Sequence, residues 1–317
     1  MDISIVIPAY NEESFIQQTI ASINEWMPHE YSFEIVVVDH GSQDKTSALA
    51  IESGARVVNG KGLKTIASLR NHGVENTTGN LLFFIDADVT FTQQWSENIS
   101  DVVNALNIDP KQVCGSLPRI PENSSLLMKY WFEPKSTVER PKYIGSCHLL
   151  TSRSLFLELG GFPSEMETGE DFNFCLNAKK FGAQIVAFPK LIIHHNGAPN
   201  TLMAFAKREV WHGRGDWTSI TSILSSKVAI LTIVFLLTHF VLLLALFNAF
   251  NYEYAVSNSI IMIIGICVFS SFIKFSKKGG GYVLINSFSF YIYFFSRALS
   301  LFSALLFRNF KKRNRSN

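Results

Sequence analysis

Residues 81–91 read LLFFIDADVTF, five apolar side chains running straight into two carboxylates one residue apart. The run from Leu81 to Ile85 fits a strand buried on both faces. Asp86 and Asp88 at its C-terminal edge repel each other unless a cation, a basic side chain or water compensates, and such a pair is suited to Mg²⁺ or Mn²⁺ beside a bound anion. Ordinary turn chemistry also places Asp at strand ends, so the pair alone decides nothing. A second acidic pair, Glu170 and Asp171 in TGEDFNF, offers a carboxylate able to take a proton from an attacking hydroxyl. Its bland counterpart is the acidic first turn of a helix capped by Thr168 or Gly169 and running to Phe181. Arg70 carries a fixed positive charge suited to a phosphate, or else sits on a solvated helix face. His194 and His195 follow the strand-like AQIVAFPKLII, where a lone histidine is more often structural than a ligand.

The elements that position these groups alternate. ISIVIPAY reads as a strand, followed by a helix from Glu12 to Trp26. FEIVVVDHGS is a second strand, DKTSALAIESG a helix closed by Gly54, ARVVNG a third strand, and a helix near Leu63 to Gly73 leads into LLFFIDAD. This order predicts an α/β fold with a mostly parallel central sheet and right-handed crossovers. Ligands of such sheets bind beyond the carboxyl ends of the strands, a rule that lines up Pro8 to Glu12, Asp39 to Ser42 and Asp86 to Asp88 along one edge. No G-x-G-x-x-G follows the first strand and no G-x-x-x-x-G-K-[ST] occurs anywhere, so dinucleotide and P-loop sites lack their glycines. A nucleoside diphosphate held through a metal is the economical alternative.

Five motifs in order, SIVIPAYNEE, VVVDHGSQDKT, LRNHGVENTTGNLLFFIDAD, GGFPSEMETGEDFNFCLNAKKFG and HHNG, resemble those of family-2 inverting glycosyltransferases with the GT-A fold, over roughly residues 1–200. The resemblance implies that Pro8, Tyr10, Glu12 and Asp39 line a nucleoside pocket, with Asp39 toward the base. It implies that Asp86 and Asp88 are the D-x-D pair contacting ribose, metal and diphosphate. It makes Asp171 the catalytic base with Glu170 second, and it gives His194, by its H-x-x-G spacing to Gly197, a metal or diphosphate role ahead of His195. Mn²⁺ or Mg²⁺ is the implied cofactor and a UDP sugar the favoured donor, although His40 stands where the family often has Asp or Asn. The Q-x-x-R-W motif of processive polysaccharide synthases is missing, which argues for adding one sugar or a few.

From Val228 on the chain turns membrane-like. Residues 228–250 are long enough to span a bilayer, residues 259–273 are near the lower limit, and residues 282–307 carry Arg297 near their middle. Residues 201–227 hold Trp211 and Trp217 among Lys207, Arg208 and Arg214, the mix of an amphipathic or interfacial linker. Nine Lys or Arg oppose Glu253 alone after residue 227, so this part carries +8, and the chain total of +2 leaves −6 for the rest. Basic loops belong on the cytoplasmic side, and the opening MDISIVIPAYNEE lacks a basic leader, so a cytoplasmic catalytic domain on a cell membrane is expected. Two or three spans fit these segments: three would leave the basic tail outside, whereas two with an interfacial third segment keep it inside, and Arg297 favours two. The four cysteines show neither metal-ligand spacing nor a disulfide framework.

The organisation expected is therefore a catalytic domain over 1–200, a linker over 201–227 and a membrane domain over 228–317. The function that the resemblance implies is sugar transfer to a hydroxyl or phosphate on a lipid-linked or glycan acceptor, with no nucleic acid expected. Two rivals remain: a sugar nucleotidyltransferase, which should show a glycine-rich basic loop where PAYNEESF stands, and a non-catalytic nucleotide-sugar-binding membrane scaffold.

Overall fold

ISIVIPA, apolar but for Ser4, and LLFFI become inner strands of a sheet covered on both faces. The computed structural model describes residues 2–121, 124–132, 141–217, 219–247 and 254–313, with side chains to 302. In chain order the elements are β1 (Ile3–Ala9), α1 (Ile16–Trp26), β2 (Phe33–Asp39), α2 (Thr46–Glu52), β3 (Arg56–Asn59), α3 (Ile66–Glu75), β4 (Leu81–Ile85), β5 (Val89–Phe91), α4 (Gln93–Ile108) and β6 (Gln112–Gly115). They continue with α5 (Leu126–Phe132), β7 (His148–Ser152), α6 (Arg153–Glu158), α7 (Glu170–Lys180), β8 (Gln184–Ala187) and β9 (Ile193–His195).

Among the described residues these strands form one seven-stranded sheet, ordered β3-β2-β1-β4-β7-β6-β8, and a β5-β9 ribbon. β1 to β4 pair in parallel, while β7 runs antiparallel to both neighbours. The chain leaves β1 toward β2 and returns on its other side as β4, which opens a crevice at the carboxyl ends of β1 and β4. Period-two alternation divides the core. Ile3, Ile5, Ile7, Leu81, Phe83 and Ile85 pack on one face with Trp95, whereas Val6, Leu82 and Phe84 pack on the other with Phe156, Phe162 and Phe174.

Two element boundaries differ from the sequence reading. The helix expected from Glu12 begins at Ile16, because Asn11 sits at φ 56° and residues 12–15 make a turn. The expected strand AQIVAFPKLII is two strands, since Pro189 has no N–H for a ladder and the chain turns there, with the Leu191 N–H donating to the Phe188 carbonyl at 3.0 Å.

The chain divides into two units: Met1–Asn123 with Pro134–Ala198, and Ser124–Glu133 with Pro199–Asn317. The first is therefore not the unbroken stretch 1–200, because α5 joins the second. That unit also holds α8 (Leu202–Gly213), a 3₁₀ turn (Arg214–Trp217), α9 (Ile220–Ser225), α10 (Lys227–Leu246), α11 (Ala255–Phe275) and α12 (Gly280–Arg313). Its core gathers Trp131 of α5 with Phe205, Phe275 and Phe290, and the Lys274 ammonium lies 3.7 Å over the Trp131 ring. Among the described residues α10 and α11, the latter extended to Lys278, are long and apolar enough to cross a membrane, and only 28% of each apolar window is buried. Arg297, awkward for a span, ion-pairs with Glu209 at 3.0 Å and Asp216 at 3.1 Å. Trp217 is buried with its Nε1–H donating to Ser300 Oγ at 2.7 Å, so of the two linker tryptophans only Trp211 is exposed.

Candidate active site

β4 ends at Ile85, so Asp86 and Asp88 fall at the mouth of the crevice. Between them the Ala87 carbonyl is held by the buried Thr19 hydroxyl at 2.7 Å. The chain then turns into β5, whose ladder with β9 sets Val89 opposite His195 and Thr90 opposite His194. Adjacent strand residues point to opposite faces, and this register brings His195, not the expected His194, to the acidic pair. Ligand atoms of Asp86, Asp88 and His195 all lie within 4.8 Å of one another, and His195 Nδ1 is 3.5 Å from Asp88 Oδ2. His194 instead shares its face with Thr90 and bridges to Arg119.

This trio fits a divalent cation on two observations. Among the described residues His195 Nδ1 is buried and makes no hydrogen bond, an arrangement that costs free energy unless a ligand completes it. Gly197 leaves room for a carboxylate, since a Cβ there would lie 2.0 Å from Asp88 Oδ2. Two carboxylates with one imidazole form a donor set for a first-row divalent ion.

β7 is antiparallel to β4, with Ile85 opposite His148, so the residues just before β7 return to the edge where β4 ends. Ser146 lies there and donates its backbone N–H to Asp171 Oδ2 at 3.3 Å and its hydroxyl to Glu170 Oε1 at 3.1 Å. Both acids open α7 behind Gly169, which sits at φ 81° without a capping side chain. The acidic first turn and the acidic pair expected at the site thus coincide. Asp171 is held above the usual carboxylate range, first by burial and then by the charge of Glu170, with the Phe172 and Ser146 N–H groups and Arg70 opposing. That shift suits a base, because it raises proton affinity toward working pH.

Arg70, expected toward a phosphate or on a solvated helix face, is buried between two carboxylates. It is 1% exposed, with Nη2 on Asp86 Oδ1 at 2.6 Å and Nη1 on Glu170 Oε1 at 2.7 Å.

Below the crevice, Trp95 Nε1–H donates to His148 Nε2 at 2.9 Å, and Ser116 stands at His148 Nδ1 with its hydroxyl oxygen at 2.9 Å and its backbone nitrogen at 3.2 Å. The Ser116 hydroxyl donates in turn to the Leu191 carbonyl at 2.5 Å. Burial pushes His148 down to about 3, so it serves as a neutral tie between the start of β7 and the segment before β9.

The other nucleotide-side candidates gather at the ends of β1 and β2. Asn11 accepts from the Gln43 N–H, its own N–H donates to Ser42 Oγ, and Glu12 N–H donates to Thr46 Oγ1 at 2.7 Å. Asp39 accepts from both groups of Ser42, while Tyr10 is 52% exposed and edge-on to His40. His40 Nε2–H donates to the Leu63 carbonyl at 2.6 Å. Pro8 is buried within β1 opposite Val38 and supports this edge from below. Glu12 is raised to about 7 by burial and then by the charges of Asp88, Asp86 and Asp44, a repulsion that a cation beside the two aspartates would relieve. Sequence reasoning passed over Ser146 and Thr19, and it ranked His195 of HHNG behind His194.

A parallel sheet whose switch crevice carries this acidic edge defines a GT-A nucleotide-binding fold. Residues 4–156 match the family described as glycosyl transferase family 2, and this region is a glycosyltransferase family-2 domain. Glycosyltransferase AglE of Haloferax volcanii is 24% identical over 207 residues, 62% of this chain and 67% of that protein. Pre-mycofactocin glycosyltransferase of Mycobacterium tuberculosis is 25% identical over 208 residues, 62% of this chain and 43% of that protein, so this chain spans less than half of that relative's length. A mannosyltransferase of Pyrobaculum calidifontis, PcManGT, solved with GDP-Man and Mn²⁺, superposes with a TM-score of 0.59 at 14% identity, covering 95% of this chain and 86% of that one.

Proposed function

We propose that the protein is a membrane-anchored inverting glycosyltransferase that moves a sugar from a nucleoside diphosphate to a hydroxyl or phosphate on a lipid-linked or glycan acceptor. The observation that carries this reading is the meeting of the Asp86, Asp88 and His195 trio with Asp171 at one edge of the sheet, joined through Arg70 and Glu170. The metal-bound, nucleotide-sugar-bound neighbour of the same fold supports it. The scaffold and nucleotidyltransferase readings leave the half-buried Asp171 without a purpose.

Asp86, Asp88 and His195 would hold a divalent cation, whose charge would offset the negative charge developing on the departing diphosphate. The imidazole in the donor set favours Mn²⁺ over Mg²⁺. Asp171 takes the proton of the acceptor hydroxyl as its oxygen bonds to the anomeric carbon; the carbon–phosphate oxygen bond breaks on the opposite side, and configuration inverts. Ser146 holds Asp171 for this step. Asp39 and Tyr10 form the nucleoside end, with a UDP sugar the expected donor. α10 and α11 anchor the chain in the cell membrane with the catalytic unit cytoplasmic, which favours an acceptor carried on lipid.

The test is donor hydrolysis by purified protein across UDP, GDP and dTDP sugars with Mn²⁺, set against Asp88→Asn and Asp171→Asn. Metal-dependent release of one nucleoside diphosphate, lost in both variants, is expected. Undiminished release in both variants would sink the assignment.

A further inference from the structure

Arg70 is the largest charged side chain buried in the catalytic unit, and its two fork nitrogens are divided between two functional groups. One holds Asp86 Oδ1, which leaves the other oxygen of that carboxylate for a cation. The other holds Glu170 Oε1, the same oxygen that accepts from Ser146 Oγ, while the Ser146 N–H reaches Asp171. Residues 70, 86, 146 and 170–171 come from four separate parts of the chain, and Arg70 closes them into one hydrogen-bonded path. Among the described residues the Arg70 Nε makes no hydrogen bond, so the residue is placed by its two carboxylates, by α3 and by the Phe162 ring 5.9 Å from its guanidinium carbon. A buried ion pair is weak evidence for stability, but a planar fork constrains two acceptors in direction and distance as an ammonium cannot.

We propose that Arg70 is a positioning residue that couples the metal-holding carboxylate to the helix end carrying the base, so that Glu170 controls cation affinity without supplying a ligand atom. The proposal rests on the metal-dependent transfer read above, and it is tested first without turnover. Free Mn²⁺ is titrated by electron paramagnetic resonance into the full-length protein in detergent, with no donor present, for wild type, Glu170→Gln, Asp171→Asn and Arg70→Lys. Glu170→Gln and Asp171→Asn remove the same charge from adjacent residues, and only Glu170 touches Arg70. Glu170→Gln is expected to weaken Mn²⁺ binding about tenfold, the usual scale for a group orienting a ligand, and Asp171→Asn by less than about twofold. Arg70→Lys, which reaches one carboxylate only, should weaken Mn²⁺ binding at least as much as Glu170→Gln. Thermal unfolding of each variant separates loss of fold from loss of site, and Arg70→Lys supplies the answer should Glu170→Gln not fold.

Equal effects of Glu170→Gln and Asp171→Asn would overturn the proposal, because charge at a distance would then explain both. Unchanged affinity in Arg70→Lys would do the same. Mn²⁺ binding with the expected pattern but no sugar transfer by the wild type would uphold the coupling and overturn the transferase reading alone. A wild type that binds no Mn²⁺ would overturn the coupling.

Discussion

At the scale of single residues, the proposed base is the group whose environment says most. Asp171 is pushed above the ordinary carboxylate range chiefly by burial and next by Glu170, while Arg70 and two backbone N–H groups pull it down; Tyr143 and Cys147 also stand near it. A base acts deprotonated, so activity is lost as pH falls through a pKa that lies higher than usual. The acid limb of the kcat/KM profile should therefore fall above the range of a free aspartate. At saturating Mn²⁺, Glu170→Gln should move that limb to lower pH by removing a neighbouring negative charge. Asp171→Asn should erase the limb and lower kcat by about 10² or more. An acid limb that stays in place in Glu170→Gln would separate Asp171 from the titration. Much of this site was legible beforehand: acids ending an apolar strand and an E-D pair opening a helix can be read from type and spacing. The choice between His194 and His195 was not, because it depends on which face of a three-residue strand meets Asp88, and only the β5-β9 register decides that. The carboxylate partners of Arg70 were hidden for a similar reason, since they lie 16 and 100 residues away in sequence.

At the scale of elements, apolar runs announced β1, β2 and β4, whereas short elements made by context were hidden. LLMKYWF is such a case: nothing local says that it leaves the catalytic unit to pack Trp131 among Phe205, Phe275 and Phe290. Arg297 is the clearest example of context reversing a sequence argument. Alone in an apolar helix it is a liability; among α8, the 3₁₀ turn and α12 it neutralises Glu209, which is 4% exposed, and Asp216. Removing one partner of a buried pair leaves the other charge uncompensated, so Arg297→Ala should destabilise the second unit by about 3 kcal/mol or more. Thermal unfolding in detergent, followed by intrinsic fluorescence, reads this as a lowered midpoint. The double variant Arg297→Met with Glu209→Gln should recover part of the loss, because the more deeply buried of the two carboxylates is then neutral and only Asp216 lacks its ion partner. An unchanged midpoint in Arg297→Ala would mean that water already solvates the cluster.

At the scale of the whole chain, the contrast between units is one of solvent. The catalytic unit hides its apolar residues in two layers, whereas α10 and α11 turn Leu237, Phe240, Leu243, Ile261, Ile264 and Phe269 outward. Helices of 20 and 21 residues measure about 30 Å at 1.5 Å per residue, the thickness of a hydrocarbon core. If both span, Tyr254 at the start of α11 and Lys278 just beyond its end lie on opposite sides of the bilayer, with the lysines on the cytoplasmic side. A membrane-impermeant maleimide applied to intact cells should therefore label Tyr254→Cys and spare Lys278→Cys until the membrane is opened. The native cysteines Cys114, Cys175 and Cys267 are buried and Cys147 lies in the catalytic unit, so the wild type gives the background. Equal labelling of both positions in intact cells would mean that α10 and α11 do not carry the chain across and back, and the acceptor would then have to be sought away from the lipid.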